Sequence, residues 1–225
     1  MSVVLSPQDE WGRSLEEHRV AAVKKLLVGN ETVLDYGCGQ GAYVAYLNRY
    51  MNVKCVGVDI FPYEKWPEIA QHLAMHLEEV FQVIKDGVIP FPNDFFDVCL
   101  SFEVLEHCPD PLKTLSEMVR VTRNCLMVSV PDCADNLKEY GLAYHHWTDR
   151  SHVNLFTASS ILELFRSAGL DILWTSRAFK VDLNACYWNH VRLPRLLKIA
   201  CLTMTRWLRL CPPLFGSIVV AGRKS

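Results

Sequence analysis

Apolar positions along the chain follow two alternating periods, which predicts helices and short buried strands in succession. From Gln8 to Leu27 the residues Trp11, Leu15, Val20, Val23, Leu26 and Leu27 recur at helical spacing, behind a Ser6-Pro7 start and ahead of a Gly29-Asn30 stop. Thr32 to Tyr36 is a short strand broken by a glycine-rich turn, and Ala42 to Tyr50 returns to helical spacing. Val53 to Val58 predicts a second buried strand that ends at Asp59. Pro62 and Pro67 interrupt the next stretch, where a helix is expected from about Pro67 to Glu79, followed by a third strand from Val80 to Lys85 that ends at Asp86. Phe96 to Phe102 is a fourth strand, Pro111 to Val121 a helix with Leu112, Leu115, Met118 and Val119 on one side, and Cys125 to Val130 a fifth strand stopped by Pro131. A polar, aromatic loop from Asp132 to Asn154 is too long for a mere connector. Thr157 caps a helix that runs to Ala168 and stops at Gly169, and strands are expected at Leu170 to Phe179 and Gly216 to Gly222.

Strands alternating with helices imply an α/β fold with a mostly parallel sheet covered on both faces. In such sheets ligands bind beyond the carboxyl ends of the strands, so Asp59, Asp86 and the glycine-rich turn after Tyr36 are expected to share one crevice.

Composition narrows this picture. Half of the 225 residues are hydrophobic and about a fifth are charged, a balance suited to one globular domain spanning 1–225. The net charge of −2 argues against a general nucleic-acid binder. Nine cysteines without a C-x2-C pair, mostly set in apolar runs, read as reduced core thiols rather than a zinc or disulfide framework. With no signal peptide or membrane span, a cytoplasmic protein is expected. Charge is unevenly placed, however. After Asp182 there is no acidic residue, while Arg192, Arg195, Lys198, Arg206, Arg209, Arg223 and Lys224 contribute +7 and leave −9 for the rest (−2 minus +7). This marks a basic, apolar helical insertion at about 182–215, whose 191–210 stretch can rest on an anionic membrane, grip an acidic acceptor, or pack on the sheet with a solvated basic face.

The candidate chemistry starts at Val33-Leu34-Asp35-Tyr36-Gly37-Cys38-Gly39-Gln40-Gly41. Its glycines allow a sharp turn and a ligand close to the backbone, but Gly37, Gly39 and Ala42 equally satisfy a dinucleotide pattern. Asp59 can take both hydroxyls of an adenosine ribose, and Asp86 can accept from an adenine amino group, as a solvated loop aspartate also would. Asp35 favours a cationic ligand over an anionic pyrophosphate.

In order, VLDYGCGQG, VGVDI, DGVIPFPNDFFDVCLSFEVLEH, PDPLKTLSEMVRVTRN, VSVPD and a later H-x-x-LFT stretch resemble the class I S-adenosylmethionine-dependent methyltransferases of the type 11 kind, over roughly Glu31 to Gly169. The resemblance implies a Rossmann-like three-layer sandwich with a seven-stranded, mostly parallel sheet whose last strand is antiparallel. It implies S-adenosylmethionine as cofactor and S-adenosylhomocysteine as product. Asp35, Gly37, Cys38, Gly39 and Gly41 would hold the methionyl end, Asp59 the ribose, Ile60, Asp86 and Gly87 the adenine, and Ser101 and Phe102 the methionine side.

The acceptor is expected to be a small molecule or a lipid- or sugar-linked one, methylated at oxygen; no DPPY-like or Pro-Cys motif points to DNA bases. A histidine suits removal of a hydroxyl proton. His145 and His146, beside Tyr144 and Trp147, are the preferred acid–base pair, ahead of His107 and His152. For the latter two the bland roles are a backbone contact and a loop tie. No metal is expected, because His145, His146 and Asp149 lack an ordinary ligand spacing. A nicotinamide-dependent oxidoreductase and a non-catalytic cofactor-binding or membrane-docking protein are the alternatives.

Overall fold

The computed structural model describes residues 15–133, 149–181, 194–207 and 214–224. Seven strands form one sheet: β1 (Thr32–Tyr36), β2 (Lys54–Asp59), β3 (Phe81–Val83), β4 (Phe96–Phe102), β5 (Thr122–Pro131), β6 (Leu170–Val181) and β7 (Leu214–Lys224). Their order is β3-β2-β1-β4-β5-β7-β6. The first five pair in parallel, and β7 runs antiparallel to both β5 and β6. This is the mostly parallel, doubly covered sheet that the alternating pattern predicts.

Consecutive residues of β1 explain the layering. Val33 and Leu34 are both buried, but they point to opposite faces and join different cores. On Val33's side lie α1 (Glu17–Leu26), α2 (Ala42–Tyr50) and α3 (Trp66–His72), which contribute Val23, Leu47 and Ile69. On Leu34's side lie α5 (Pro111–Val121) and α6 (Ala158–Ser167), which contribute Met118 and Phe165. A strand buried on both faces must be largely apolar, hence Val33-Leu34 in β1, Cys55–Val58 in β2 and Val98–Leu100 in β4. Caps fix two helix starts: Asp110 Oδ1 accepts from Lys113 N–H at 2.9 Å, and Thr157 Oγ1 from Ser160 N–H at 3.2 Å.

Two expectations need correction. The single helix from Pro67 to Glu79 is instead α3 followed by a one-turn α4 (Leu77–Val80), parted where Ala74 takes a φ of 54°. The third strand stops at Val83, so Asp86 does not end it. Asp86 and Gly87 occupy a tight turn with φ of 54° and 72°, closed by Val88 N–H donating to Lys85 O at 3.0 Å. The turn is exposed.

The chain steps outward from β1 to β2 to β3, then returns to lay β4 against the other side of β1. At that reversal the connections leave β1 and β4 in opposite directions and open a crevice at their carboxyl ends. Between β6 and β7 the insertion contains α7 (Arg195–Trp207). Arg192 and Arg209 lie outside the described residues. No helix among the described residues is long and apolar enough to cross a membrane. The described cysteines are all free thiols, with Cys55, Cys99 and Cys133 buried.

Candidate active site at the sheet's carboxyl edge

The turn after β1 is shaped by two glycines that nothing else can replace cheaply. Gly37 has a φ of 73°, and a methyl group built on it would sit 2.3 Å from Val104 Cγ2, in the segment after β4. Gly41 has a φ of 88° and would meet the Phe81 ring at 2.7 Å. The two connections are thus packed backbone against side chain, leaving the rest of the turn to face the crevice. Gly37 and Cys38 N–H both donate to Val58 O, at 2.8 and 3.1 Å. Trp66 Nε1–H, stacked on Phe81, donates to Gly39 O at 2.8 Å. Cys38 contributes backbone here, since its sulfur lies where a side chain on Gly57 would go.

Asp35 is 3% exposed, and its Oδ2 has no hydrogen-bond partner among the described residues. Burial, and secondarily the neighbouring Asp59, push its carboxyl up to about 7. Asp59 is also buried, but better served: Oδ2 accepts from Gly39 N–H at 2.9 Å and Oδ1 from Ile60 N–H at 2.7 Å. Each of its oxygens keeps a second lone pair for another donor. Ile60 and Phe61 beside it are exposed at 58% and 64%, an apolar surface at the end of β2. Two neighbouring carboxylates, one with an unpartnered oxygen, beside an exposed apolar surface suit a ligand combining a positive charge with a diol and a flat apolar part.

At the end of β4, Ser101 is 1% exposed with its Oγ unpartnered among the described residues. Phe102 packs against Tyr43 with ring centroids 4.8 Å apart, and the Arg19 guanidinium lies over its ring, 5.6 Å from the centroid. Glu103 takes a φ of 54°, and its carboxylate accepts from Ser129 Oγ at 2.9 Å and pairs with Arg19 Nη2 at 2.8 Å. The sequence carried no sign of Arg19 or Tyr43 at this edge; they arrive from α1 and α2 through the fold alone.

Beyond Val104 the chain makes one 3-10 turn, Leu105–His107. Glu106 is 1% exposed, and neither carboxylate oxygen has a hydrogen-bond partner among the described residues. Burial, and then Glu103, push it up to about 8. His107 is exposed, and its Nδ1 meets Ser151 O at 3.0 Å, a backbone contact. His152 packs edge-on against His107 with centroids 4.7 Å apart, its Nε2 3.7 Å from Asp149 Oδ2. The structure therefore brings His107 and His152 together with Glu106, a residue the sequence reading passed over. The preferred pair, His145 and His146, lies outside the described residues.

Comparison with known proteins places this geometry in context. A family model described as a methyltransferase domain matches residues 11–174. An uncharacterized methyltransferase of Mycobacterium sp. (strain KMS) is 38% identical over 108 residues, covering 45% of this chain and 38% of that protein. The tocopherol O-methyltransferase of Arabidopsis thaliana is 30% identical over 118 residues, covering 51% of this chain and 34% of that protein. The chain thus spans well under half the length of these relatives. In fold, it is similar to the 1,6-didemethyltoxoflavin-N1-methyltransferase of Burkholderia thailandensis, solved with S-adenosylhomocysteine. The TM-score is 0.62 at 18% identity, over 93% of this chain and 77% of that one.

Proposed function

This chain belongs to the methyltransferase domain family, and on that premise we propose that it transfers a methyl group from S-adenosylmethionine to a hydroxyl of a small-molecule or lipid- or sugar-linked acceptor. The observation that carries the reading is Asp35, a buried carboxylate with an unpartnered oxygen at the end of β1. Such a group is costly to bury without a partner and fits a ligand with a cationic ammonium and sulfonium.

The residues present fit that cofactor in kind. Asp35 and the backbone of Gly37, Cys38, Gly39 and Gly41 would hold its methionyl end, and the free lone pairs of Asp59 its ribose hydroxyls. Exposed Ile60, with Asp86 and Gly87 in their turn, would flank the adenine, and Ser101 and Phe102 the methionine side. When bound, the cofactor supplies an electrophilic methyl on a sulfonium. The chain's own part is to orient the acceptor, exclude water and receive a proton. His107 and His152, which meet after β4, are candidates for the last task, as are His145 and His146, which lie outside the described residues.

Oxygen as the methylated atom is supported by the presence of proton acceptors at this edge and by the tocopherol O-methyltransferase relative. The test is turnover on a panel of hydroxyl and amine acceptors with labelled cofactor. Methyl transfer to hydroxyls alone supports the reading, and transfer to amines alone refutes its oxygen part.

One observation favours an accompanying docking role. On α7, Leu196 is 82% exposed in the first turn with Arg195 and Lys198, and Trp207 is 80% exposed at the helix's other end. That combination suits peripheral contact with an anionic membrane.

A further inference from the structure

We propose that Glu106, His107 and His152 bind a divalent first-row transition-metal ion at the mouth of the crevice, with positions left open for an acceptor oxygen. Ligand-capable atoms of the three side chains all lie within 4.8 Å of one another. Two imidazoles and one carboxylate are the donor set of open zinc sites and of facial iron sites, whereas magnesium and calcium prefer oxygen alone.

Glu106 is the strongest sign. It is 99% buried, yet neither oxygen finds a hydrogen bond among the described residues. Arg19 forms its ion pairs with Glu103 and Glu16 and makes no hydrogen bond to Glu106. A buried carboxylate is ordinarily paired or coordinates a metal.

The histidines are pre-set by their surroundings. A backbone carbonyl only accepts, so the contact from His107 Nδ1 to Ser151 O puts the proton on Nδ1. In the neutral ring that tautomer leaves Nε2 as the ligand atom, the arrangement that outer-shell contacts impose on metal-bound histidines. Four contacts clamp the 149–154 segment to the 3-10 turn and hold His152 in place. Val153 and Asn154 N–H donate to Glu106 O at 2.9 and 3.0 Å, Asn154 Nδ2 donates to Cys108 O at 2.6 Å, and His107 reaches Ser151. Inside that segment Asp149 Oδ1 accepts from Ser151 N–H at 2.9 Å. Such a framework supplies the rigidity a metal site needs.

The site follows Val104 directly, and Val104 touches Gly37, so it borders the same crevice. The exposed side of His107 leaves room for a further ligand. This part rests on the methyl-transfer reading: an acceptor hydroxyl bound to the ion gives its proton to solvent water, its oxygen retains the electron pair, and the ion stays divalent. His107 and His152 then act as ligands rather than as bases.

The test uses the full chain freed of metal by dialysis against chelator, then titrated with Zn²⁺ by calorimetry and with Co²⁺ by visible absorption. One ion per chain is expected, with at least tenfold weaker binding in both His107→Ala and Glu106→Gln. Circular dichroism checks folding, and His107→Ala, at an exposed position, keeps the test valid if Glu106→Gln unfolds. No stoichiometric binding by the wild type, or wild-type affinity in folded His107→Ala and His152→Ala, overturns the proposal. Titrating the same metal-free protein with S-adenosylmethionine separates the two readings. Cofactor binding without metal binding defeats only the metal site, and metal binding without cofactor binding defeats only the methyltransferase reading.

Discussion

Replacing Asp35 with asparagine should stabilise the ligand-free protein at alkaline pH while weakening its cofactor binding. Asp35's carboxyl rises from 3.8 to about 7 in the fold, so the folded state holds a proton that the unfolded chain releases. A raised folded value contributes stability that is fully present below pH 3.8 and lost as the pH climbs through about 7. Integrated, the loss is about 1.7 kcal/mol at about pH 5 and about 4 kcal/mol at about pH 8. Asparagine does not titrate and keeps the shape, but leaves an unpaired amide costing about 1–3 kcal/mol at either pH. That cost cancels when the two pH values are compared. The variant's stability relative to wild type should therefore be about 2–3 kcal/mol more favourable at about pH 8 than at about pH 5. In a chain of this size that is a relative Tm change of roughly 5–10 °C. Urea unfolding of both proteins at the two pH values reads it directly. The opposite sign is expected for S-adenosylmethionine, whose affinity should fall roughly 10- to 150-fold with the lost charge. A stability difference that does not change with pH would refute the account of Asp35 as a carboxylate held against its preference for water.

Other outcomes follow from the same geometry. Gly37→Ala should cost about 1–2 kcal/mol for its left-handed backbone plus about 1–3 kcal/mol for the Val104 contact. Adding Val104→Ala should recover only the second share, as a double-mutant cycle in urea would read. Thr157→Ala removes the cap of α6 and should lower unfolding stability by about 1 kcal/mol without altering cofactor affinity, checked by melting and by calorimetry. If α7 docks on membranes, Leu196→Ser with Trp207→Ser should reduce co-sedimentation with anionic vesicles and leave neutral vesicles unaffected. Equal sedimentation of both proteins would dismiss that role.

Most of the fold was legible because its strands are buried on both faces and its helices on one. β1, β4 and α5 match the expected bounds residue for residue, since an apolar run or a capped Pro start marks each end. The break at Ala74 was not legible, because no glycine or proline announces it. Asp86 slid off its expected strand end because β3 pairs with β2 over just Phe81 to Val83, a limit set by the partner strand. In the site, the glycine turn and Asp59 follow from local pattern. Glu106 did not stand out, because its burial and its neighbour His152 depend on a segment far along the chain folding back onto the 3-10 turn. Spacing along the sequence cannot display that meeting.

The most direct test of the central claim is calorimetric titration of the wild type and Asp59→Ala with S-adenosylmethionine, S-adenosylhomocysteine and NADH. The account predicts that both adenosyl ligands bind and NADH does not, with Asp59→Ala roughly 10- to 150-fold weaker through loss of a charge-assisted contact. Binding of NADH in their place, or no adenosyl binding by folded protein, would contradict it.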